Sequence, residues 1–124
     1  MPIELTKDNF ADIVDKNDIV IVDFWAEWCG PCRSFAPTFA AAAEKHTGIV
    51  FGKVDTEAEQ ELAGAFGIRS IPTLAVFRDQ VLLYSQPGAL PADALDDIVE
   101  QVKALDMDEV HAEIARQKAD SPAS

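Results

Sequence analysis

The ten residues from Asp23 to Cys32 constrain the fold more strongly than any other stretch, because they hold both cysteines of the 124-residue chain directly after an apolar run. That run, residues 18–25, is short and rich in β-branched side chains, which is typical of a strand buried on both faces of a mainly parallel sheet. A Gly-Pro pair separates the cysteines, and proline is well tolerated in the first turn of a helix. The sequence therefore predicts a strand–loop–helix corner with Cys29 at the N-terminus of the helix.

The two cysteines of this corner have the spacing of a redox pair. Unpaired N–H groups and the helix dipole stabilise an anion at a helix N-terminus, so we expect Cys29 to ionise readily and to act as the nucleophile. Cys32 lies three residues further along the same face, where it can close a small disulfide ring and resolve a mixed disulfide. A structural disulfide or half of a zinc site is the alternative, but zinc needs four ligands, and the two histidines, His46 and His111, stand in unrelated segments. We therefore predict no metal and no bound cofactor, and we place both histidines on the surface.

The composition is that of an ordinary globular protein. Hydrophobic residues make up 48% of the chain, and no run approaches the apolar length that a membrane span requires. The N-terminus lacks the pattern of a secretory signal, so we expect a cytoplasmic location. The net charge of −12 argues against nucleic acid as a partner, because the phosphates would be repelled. Residues 91–124 hold nine acidic and three basic residues, so half of the net charge lies in an acidic C-terminal region.

Hydrophobic periodicity predicts strands and helices in alternation, followed by a hairpin and two further helices. The predicted strands lie near 3–5, 18–25, 49–55, 71–77 and 81–84, and the predicted helices near 6–15, 31–48, 56–66, 91–105 and 106–118.

Three local signals refine these boundaries. Gly48 is a plausible C-terminal cap for the helix that follows the cysteines. Thr56 and Glu59 have the spacing of a capping box for the next helix. The hairpin connection, residues 79–80, lacks the glycine that two-residue turns prefer, so we expect either a strained turn or a longer loop.

Three separated motifs resemble the thioredoxin family: Trp-Cys-Gly-Pro-Cys at 28–32, Asp-Phe-Trp-Ala at 23–26, and Gly-Ile-Arg-Ser-Ile-Pro-Thr-Leu at 67–74. The resemblance covers roughly residues 3–105. It implies an α/β thioredoxin fold, in which about four helices flank a central mixed sheet of about five strands. We divide the chain into a thioredoxin domain, residues 1–105, and an acidic helical extension with a disordered tail, residues 106–124.

The resemblance also implies roles for individual residues. A carboxylate in an apolar strand costs free energy unless it is partnered or protonated, so Asp23 is either a satisfied core residue or a proton acceptor for Cys32. The resemblance supports the second role, and Lys53 resembles the lysine that neighbours this aspartate in relatives. It further implies that Pro72 is cis and that the backbone of Ile71 faces the sulfurs. The implied substrate-docking surface comprises Trp28, Gly30, Pro31, Gly67, Ile71, Pro72, Gly88 and Ala89.

The aromatic residues around the corner divide into two groups. Trp28 directly precedes Cys29, so we expect it to shield the sulfur and to contact partners. Trp25 is expected to be a packing residue that forms part of the wall, and Phe35 and Phe39 are expected to be core residues that imply no cofactor.

Taken together, these features predict a protein-disulfide reductase that helps to maintain cell redox homeostasis. The resemblance implies that a thioredoxin reductase, a flavoprotein using NADPH, supplies the electrons and that disulfide-containing proteins receive them. We expect a monomer with no membrane partner. Two alternatives remain open: a non-enzymatic binding module, and a protein of the same fold that works as an oxidant or isomerase.

Overall fold

The computed structural model describes residues 2–120 and shows a five-stranded mixed sheet with helices on both faces. This confirms the predicted fold class, including the additional helix at the C-terminal end. The strands are β1 (Ile3–Glu4), β2 (Ile19–Trp25), β3 (Val50–Asp55), β4 (Thr73–Arg78) and β5 (Val81–Pro87), and the helices are α1 (Phe10–Lys16), α2 (Gly30–Lys45), α3 (Gln60–Ala65), α4 (Ala92–Ala104) and α5 (Met107–Asp120).

The central strand of the sheet is β2. The strand order is β1-β3-β2-β4-β5, in which β1, β3 and β2 run parallel and β4 and β5 run antiparallel to their neighbours. The first six residues of β2 are buried, as the unbroken apolar run predicts. The cysteine loop follows the carboxyl end of β2, so it lies at one end of the sheet.

Two hydrophobic clusters hold the helices against the sheet. On one face Phe35 and Phe39 of α2 pack with Ile21 of β2 and with side chains of α4. On the other face Phe10 of α1 packs with Phe24 and with side chains around α3. The helix that begins at the cysteines is thus fixed by its own aromatic residues, which confirms that Phe35 and Phe39 belong to the core.

The close approach of Leu5 to β3 explains why residue 52 is a glycine. Leu5 is fully buried directly over Gly52, and its backbone N–H donates to the Lys53 carbonyl at 2.8 Å. A Cβ at position 52 would overlap the Leu5 side chain, so this site accepts only glycine without local movement.

Helix α2 ends at Lys45 rather than at Gly48, because His46 is its C-terminal cap. The backbone N–H of His46 donates to the Ala42 carbonyl at 2.9 Å, and the His46 ring turns inward. Its Nε2 lies 3.0 Å from Oδ1 of Asp96 on α4. The prediction of a surface position for His46 was therefore wrong, because its partner is 50 residues away in the sequence.

The capping box predicted for α3 does not form. The helix begins after Glu59, whose side chain accepts instead from the backbone N–H of Lys7 at 2.7 Å. The Thr56 hydroxyl donates to the Trp25 carbonyl at 3.1 Å. Both side chains have tertiary partners, which the local spacing does not reveal.

The β4–β5 hairpin has a two-residue turn, as drawn from the sequence. Asp79 and Gln80 both adopt positive φ, at 51° and 68°. These are the backbone conformations of the turn types that normally select glycine or asparagine. The backbone N–H of Asp79 donates to the Asp18 carbonyl at 2.9 Å, which helps to hold the turn against the start of β2.

At the same end of the sheet Arg78 organises the junction between α4 and α5. Its Nη1 donates to the carbonyls of Val102 at 2.7 Å and Leu105 at 2.9 Å. The Asp106 carboxylate accepts a backbone N–H from the first turn of α5, and Met107 is buried. Leu105, which the apolar stripe of α4 includes, is instead 39% exposed.

The remaining expectations concern the chain's C-terminal end and membranes. His111 lies on α5 with a half-exposed side chain, 3.6 Å from Asp79. Asp120, the first residue of the predicted disordered tail, ends α5, and residues 121–124 lie outside the described part of the chain. None of the helices within residues 2–120 has the length and apolar character needed to cross a bilayer.

Candidate active site

The two cysteines form a disulfide at the N-terminus of α2. Cys29 is the N-cap residue with an extended backbone, and Gly30 and Pro31 are the first two helical residues. The backbone N–H of Cys32 points at Cys29 Sγ, 3.2 Å away, and the two Cα atoms are 5.2 Å apart. The strand–loop–helix corner is therefore built as predicted. Both cysteines are buried in this disulfide state.

The electrostatic surroundings of Cys29 favour a thiolate once the disulfide is reduced. The helix behind it has 16 residues, and its dipole places partial positive charge at the sulfur. The first four helical residues are Gly-Pro-Cys-Arg, which bring one cation and no carboxylate. The N–H group aimed at Sγ can donate to a sulfur anion, and hydrogen bonding to the charged form lowers the pKa of a thiol.

The loop before β4 faces the disulfide. The Ile71–Pro72 peptide bond is cis, and the Ile71 carbonyl oxygen lies 3.7 Å from Cys29 Sγ, as the resemblance implied. The Gly88 N–H donates to the Pro72 carbonyl at 2.8 Å and so brings the exposed residues Gly88 and Ala89 beside this loop. The structure thus groups Cys29, Ile71, Pro72 and Gly88 on one surface.

Gly67 lies in the turn that follows α3, where its φ of 64° suits glycine. It is exposed, and it lies four positions before Ile71 in the sequence. Its assignment to the docking surface stays a prediction.

Trp28 is the most exposed large hydrophobic residue beside the disulfide, with 66% of its surface accessible. Its indole N–H donates to the Glu57 carboxylate at 2.6 Å. Glu27, Asp55 and Glu57 line a cleft of about 340 Å³ against the same ring. Sequence reasoning missed Glu57; the available signal was that it follows β3 as Glu27 follows β2, and parallel strands end at the same edge of a sheet.

Asp23 is fully buried in the middle of the sheet. Neither of its carboxylate oxygens has a hydrogen-bond partner among residues 2–120. Burial raises the pKa of Asp23 from its ordinary value of 3.8 to about 7, against the opposing effect of the Lys53 charge. Alternation along β2 places its side chain on the same face as Ile21, which is the face that α2 covers. A carboxyl group that titrates near neutral pH therefore lies under the helix that carries the cysteines.

Lys53 lies opposite Asp23 in the register of β2 and β3. Its ammonium group, however, is directed at Trp25, 4.4 Å from the centroid of the indole ring. Sequence reasoning treated Trp25 only as packing. The contact between these two residues depends on strand register, which the sequence alone did not provide.

No group of three or more histidine, cysteine, aspartate or glutamate side chains within residues 2–120 is arranged to hold a metal ion. The chemistry that this arrangement can perform is exchange between the cysteine pair and another thiol or disulfide.

Comparisons with known proteins agree with this chemistry. The family model described as thioredoxin matches residues 1–101. A provisionally named thioredoxin 2 of Streptomyces coelicolor is 57% identical over 117 residues, which cover 94% of this chain and 87% of the relative. Thioredoxin C-3 of Corynebacterium nephridii is 43% identical over 101 residues, covering 81% of this chain and 70% of the relative.

The same agreement holds for solved structures. A mutant thioredoxin from Halobacterium salinarum superimposes with a TM-score of 0.79 at 35% identity, and the match covers 85% of this chain and 93% of that protein.

Proposed function

Because the chain belongs to the thioredoxin family and is a protein-disulfide oxidoreductase, we propose that it reduces disulfide bonds in other proteins and so contributes to redox homeostasis in the cytoplasm. The observation that carries this proposal is the Cys29–Cys32 disulfide at the N-terminus of α2. A helix N-terminus stabilises a thiolate at the first cysteine, and the second cysteine is one turn away.

The first step is nucleophilic attack by Cys29. In the reduced protein the Cys29 thiolate attacks one sulfur of a substrate disulfide. A bond forms between Cys29 and that sulfur, the substrate S–S bond breaks, and the other substrate sulfur leaves as a thiolate that takes a proton from water. The product is a mixed disulfide between protein and substrate.

The second step releases the substrate. Asp23 accepts the Cys32 proton, directly or through water, and the resulting thiolate attacks Cys29 Sγ. The mixed disulfide breaks, the second substrate sulfur leaves as a thiolate that takes a proton from water, and the Cys29–Cys32 disulfide forms. Two electrons have then passed to the substrate. A general base works best when its pKa lies near the operating pH, and burial brings the pKa of Asp23 to about 7.

Substrate binding uses the surface around the disulfide. The Ile71 backbone faces Cys29, so an extended substrate segment can pair with it in the manner of an added strand. The exposed Trp28 ring provides an apolar contact beside the sulfur. The remaining residues that we assign to this surface are Gly30, Pro31, Gly67, Pro72, Gly88 and Ala89.

A second protein must return the electrons. We assign this role to an NADPH-dependent flavoprotein thioredoxin reductase, which membership of the thioredoxin family implies. The protein acts as a monomeric carrier between this reductase and its disulfide substrates.

Insulin reduction tests the proposal. Cys29→Ser should reduce turnover to the background rate, whereas Ser34→Ala, an exposed change on the same helix, should leave it unchanged. Equal activity of wild type and Cys29→Ser would refute the assignment.

Trapping experiments separate catalysis from simple binding. Cys32→Ser removes the release step, so it should accumulate mixed disulfides with several proteins. A single partner held without a covalent bond would favour a binding module. A redox titration of the cysteine pair then gives the direction of electron flow, and a strongly oxidising potential would identify an oxidant or isomerase instead of a reductase.

A further inference from the structure

Three side chains on neighbouring strands form a group that thiol exchange alone does not explain. Asp23 and Trp25 lie two residues apart on β2, and Lys53 of β3 is in register with Asp23. Side chains two residues apart on a strand, and those of registered neighbours, share one face of the sheet. The possible partners of the Lys53 ammonium on that face are the Asp23 carboxylate, the Trp25 ring and, by the same register, the carboxylates of Asp55 and Glu4.

In the structure the Lys53 ammonium contacts the Trp25 ring. Its Nζ lies 4.4 Å from the centroid of the Trp25 indole, within the range of a cation–π interaction. Both Asp23 oxygens remain without a hydrogen-bond partner among the described residues. A flexible lysine beside a buried carboxyl group would ordinarily form an ion pair with it. The Trp25 ring therefore competes with the Asp23 carboxylate for the Lys53 ammonium.

We propose that Trp25 is a positioning residue for proton transfer, because its indole face holds the Lys53 ammonium and keeps that cation out of contact with Asp23. The proposal rests on the proposed function, in which Asp23 takes the proton of Cys32. An ammonium in contact with Asp23 would stabilise the carboxylate and make it a weaker base. The ring thus preserves the basicity that the release step needs.

The other charged groups near Lys53 are poorer competitors than Asp23. Glu4 and Asp55 share a cleft of about 300 Å³ with Trp25 and Lys53. Glu4 is exposed to solvent, and the Asp55 carboxylate already accepts the Glu57 N–H at 2.9 Å. Asp23 is buried and has no such partner within residues 2–120, so a released ammonium gains most by moving toward it.

The elements packed on this face add Cys32 from α2 and, at the other end of that helix, the paired His46 and Asp96. Helix α2 contributes Cys32 and the apolar residues Phe35 and Phe39 from its buried side, and Cys32 titrates only when it is reduced. Leu74 of β4 lies opposite Asp23 and is apolar. In the oxidised protein burial raises the pKa of Asp23, and Lys53 is the charged group that opposes this shift.

The test is a carbon-13 NMR titration of the Asp23 carboxyl group in the oxidised protein. Trp25→Leu removes the ring face, and the pKa of Asp23 should fall by roughly 1 to 3 units as Lys53 moves toward it. Trp25→Phe keeps an aromatic face and should shift the pKa less. In a Lys53→Met background, Trp25→Leu should leave the pKa of Asp23 unchanged.

Two results would overturn the proposal: an unchanged Asp23 titration in folded Trp25→Leu, or a fall of the same size with and without Lys53. Should Trp25→Leu fail to fold, fluorinated tryptophan in a Trp28→Phe background weakens the ring's attraction for cations at nearly constant shape. The titration should then shift downward, and no shift would count against the proposal. Loss of insulin reduction in Asp23→Asn tests the proposed function separately, so the two can fail independently.

Discussion

At the scale of single residues, the most unusual feature is a carboxyl group that the sheet encloses without a partner. Asp23 is inaccessible to solvent, and neither oxygen is hydrogen-bonded to the described residues. Burial of an unpaired charge is unfavourable, so the folded protein favours the protonated form. The protein therefore retains at this position a group that weakens its own fold at high pH.

The pH dependence of stability follows from the raised pKa of Asp23. The folded value of about 7 exceeds the ordinary value of 3.8, so the folded state binds this proton more tightly than the unfolded chain does. The contribution is complete below pH 3.8 and is lost as the pH rises through about 7. Asp23→Asn cannot ionise, so it should match wild type near pH 4 and exceed it above pH 7 by on the order of 4 kcal/mol.

Urea unfolding of the oxidised protein at pH 4, 6 and 8 measures this difference. Asp12→Asn, a change at an exposed helix position, serves as the control and should show no comparable dependence on pH. An Asp23→Asn variant that is equally stable relative to wild type at all three pH values would contradict the assigned burial effect.

Residues whose environment is local were predictable, and those with distant partners were not. The position of Cys29 follows from a strand, a Gly-Pro pair and a helix that adjoin it in the sequence. His46 was placed on the surface because nothing nearby indicated Asp96. The Trp25–Lys53 contact likewise depends on the pairing of β2 with β3, which places Lys53 opposite Asp23 and therefore near Trp25.

At the scale of whole elements, periodicity predicted every strand and helix, but their ends depend on tertiary contacts. The capping-box residues Thr56 and Glu59 bond to Trp25 and Lys7 rather than to their own helix. Helix α2 stops where His46 turns inward. A local pattern identifies the element, whereas its boundary is decided by which buried partner each terminal residue finds.

In the β4–β5 hairpin, a glycine substitution should change the stability of the protein in opposite directions at two positions. Gln80 has a φ of 68°, a conformation that is unfavourable for residues with a Cβ. Gln80→Gly should therefore stabilise the protein by about 0.5 to 1 kcal/mol. The matched change Gln86→Gly, at an exposed position inside β5, should destabilise it by a similar amount.

Urea midpoints of the two variants and the wild type provide the comparison. If both changes destabilise the protein equally, the side chain of Gln80 contributes more than the strain of its backbone, for example through its weak hydrogen bond to the Asp15 carbonyl at 3.5 Å.

At the scale of the whole molecule, β2 separates two functional ends. The cysteine loop follows its carboxyl end, while Arg78 pairs with Ile19 at its amino end. Arg78 also binds the carbonyls at the α4–α5 junction, so helix α5 begins at the end of the sheet away from the disulfide. The overall fold was predictable because three motifs resemble one family, but the attachment of α5 through Arg78 was not.

Removal of α5 should separate stability from activity. Truncation after Leu105 loses the buried Met107, so the free energy of unfolding should fall by about 1.5 to 3 kcal/mol. Insulin reduction should continue at the wild-type rate, because the removed helix begins far from Cys29 along β2. Thermal unfolding and turnover, measured on the same preparations, give both quantities.

Met107→Ala in the full-length chain is the matched control and should reproduce most of the stability loss. A truncated protein that stays folded but turns over several times more slowly would assign part of the substrate or reductase contact to α5.

Because β2 separates the disulfide from the Arg78 junction, the protein can be attached to a support at the junction without blocking the disulfide. The half-exposed amine of Lys103 lies at the end of α4, beside the Arg78 junction. A bead, an electrode or a dye coupled through this amine would leave the sulfur pair directed toward solution. Immobilisation through the Lys103 amine therefore leaves the disulfide end of the molecule accessible for electron exchange, and no residue around the disulfide has to be changed.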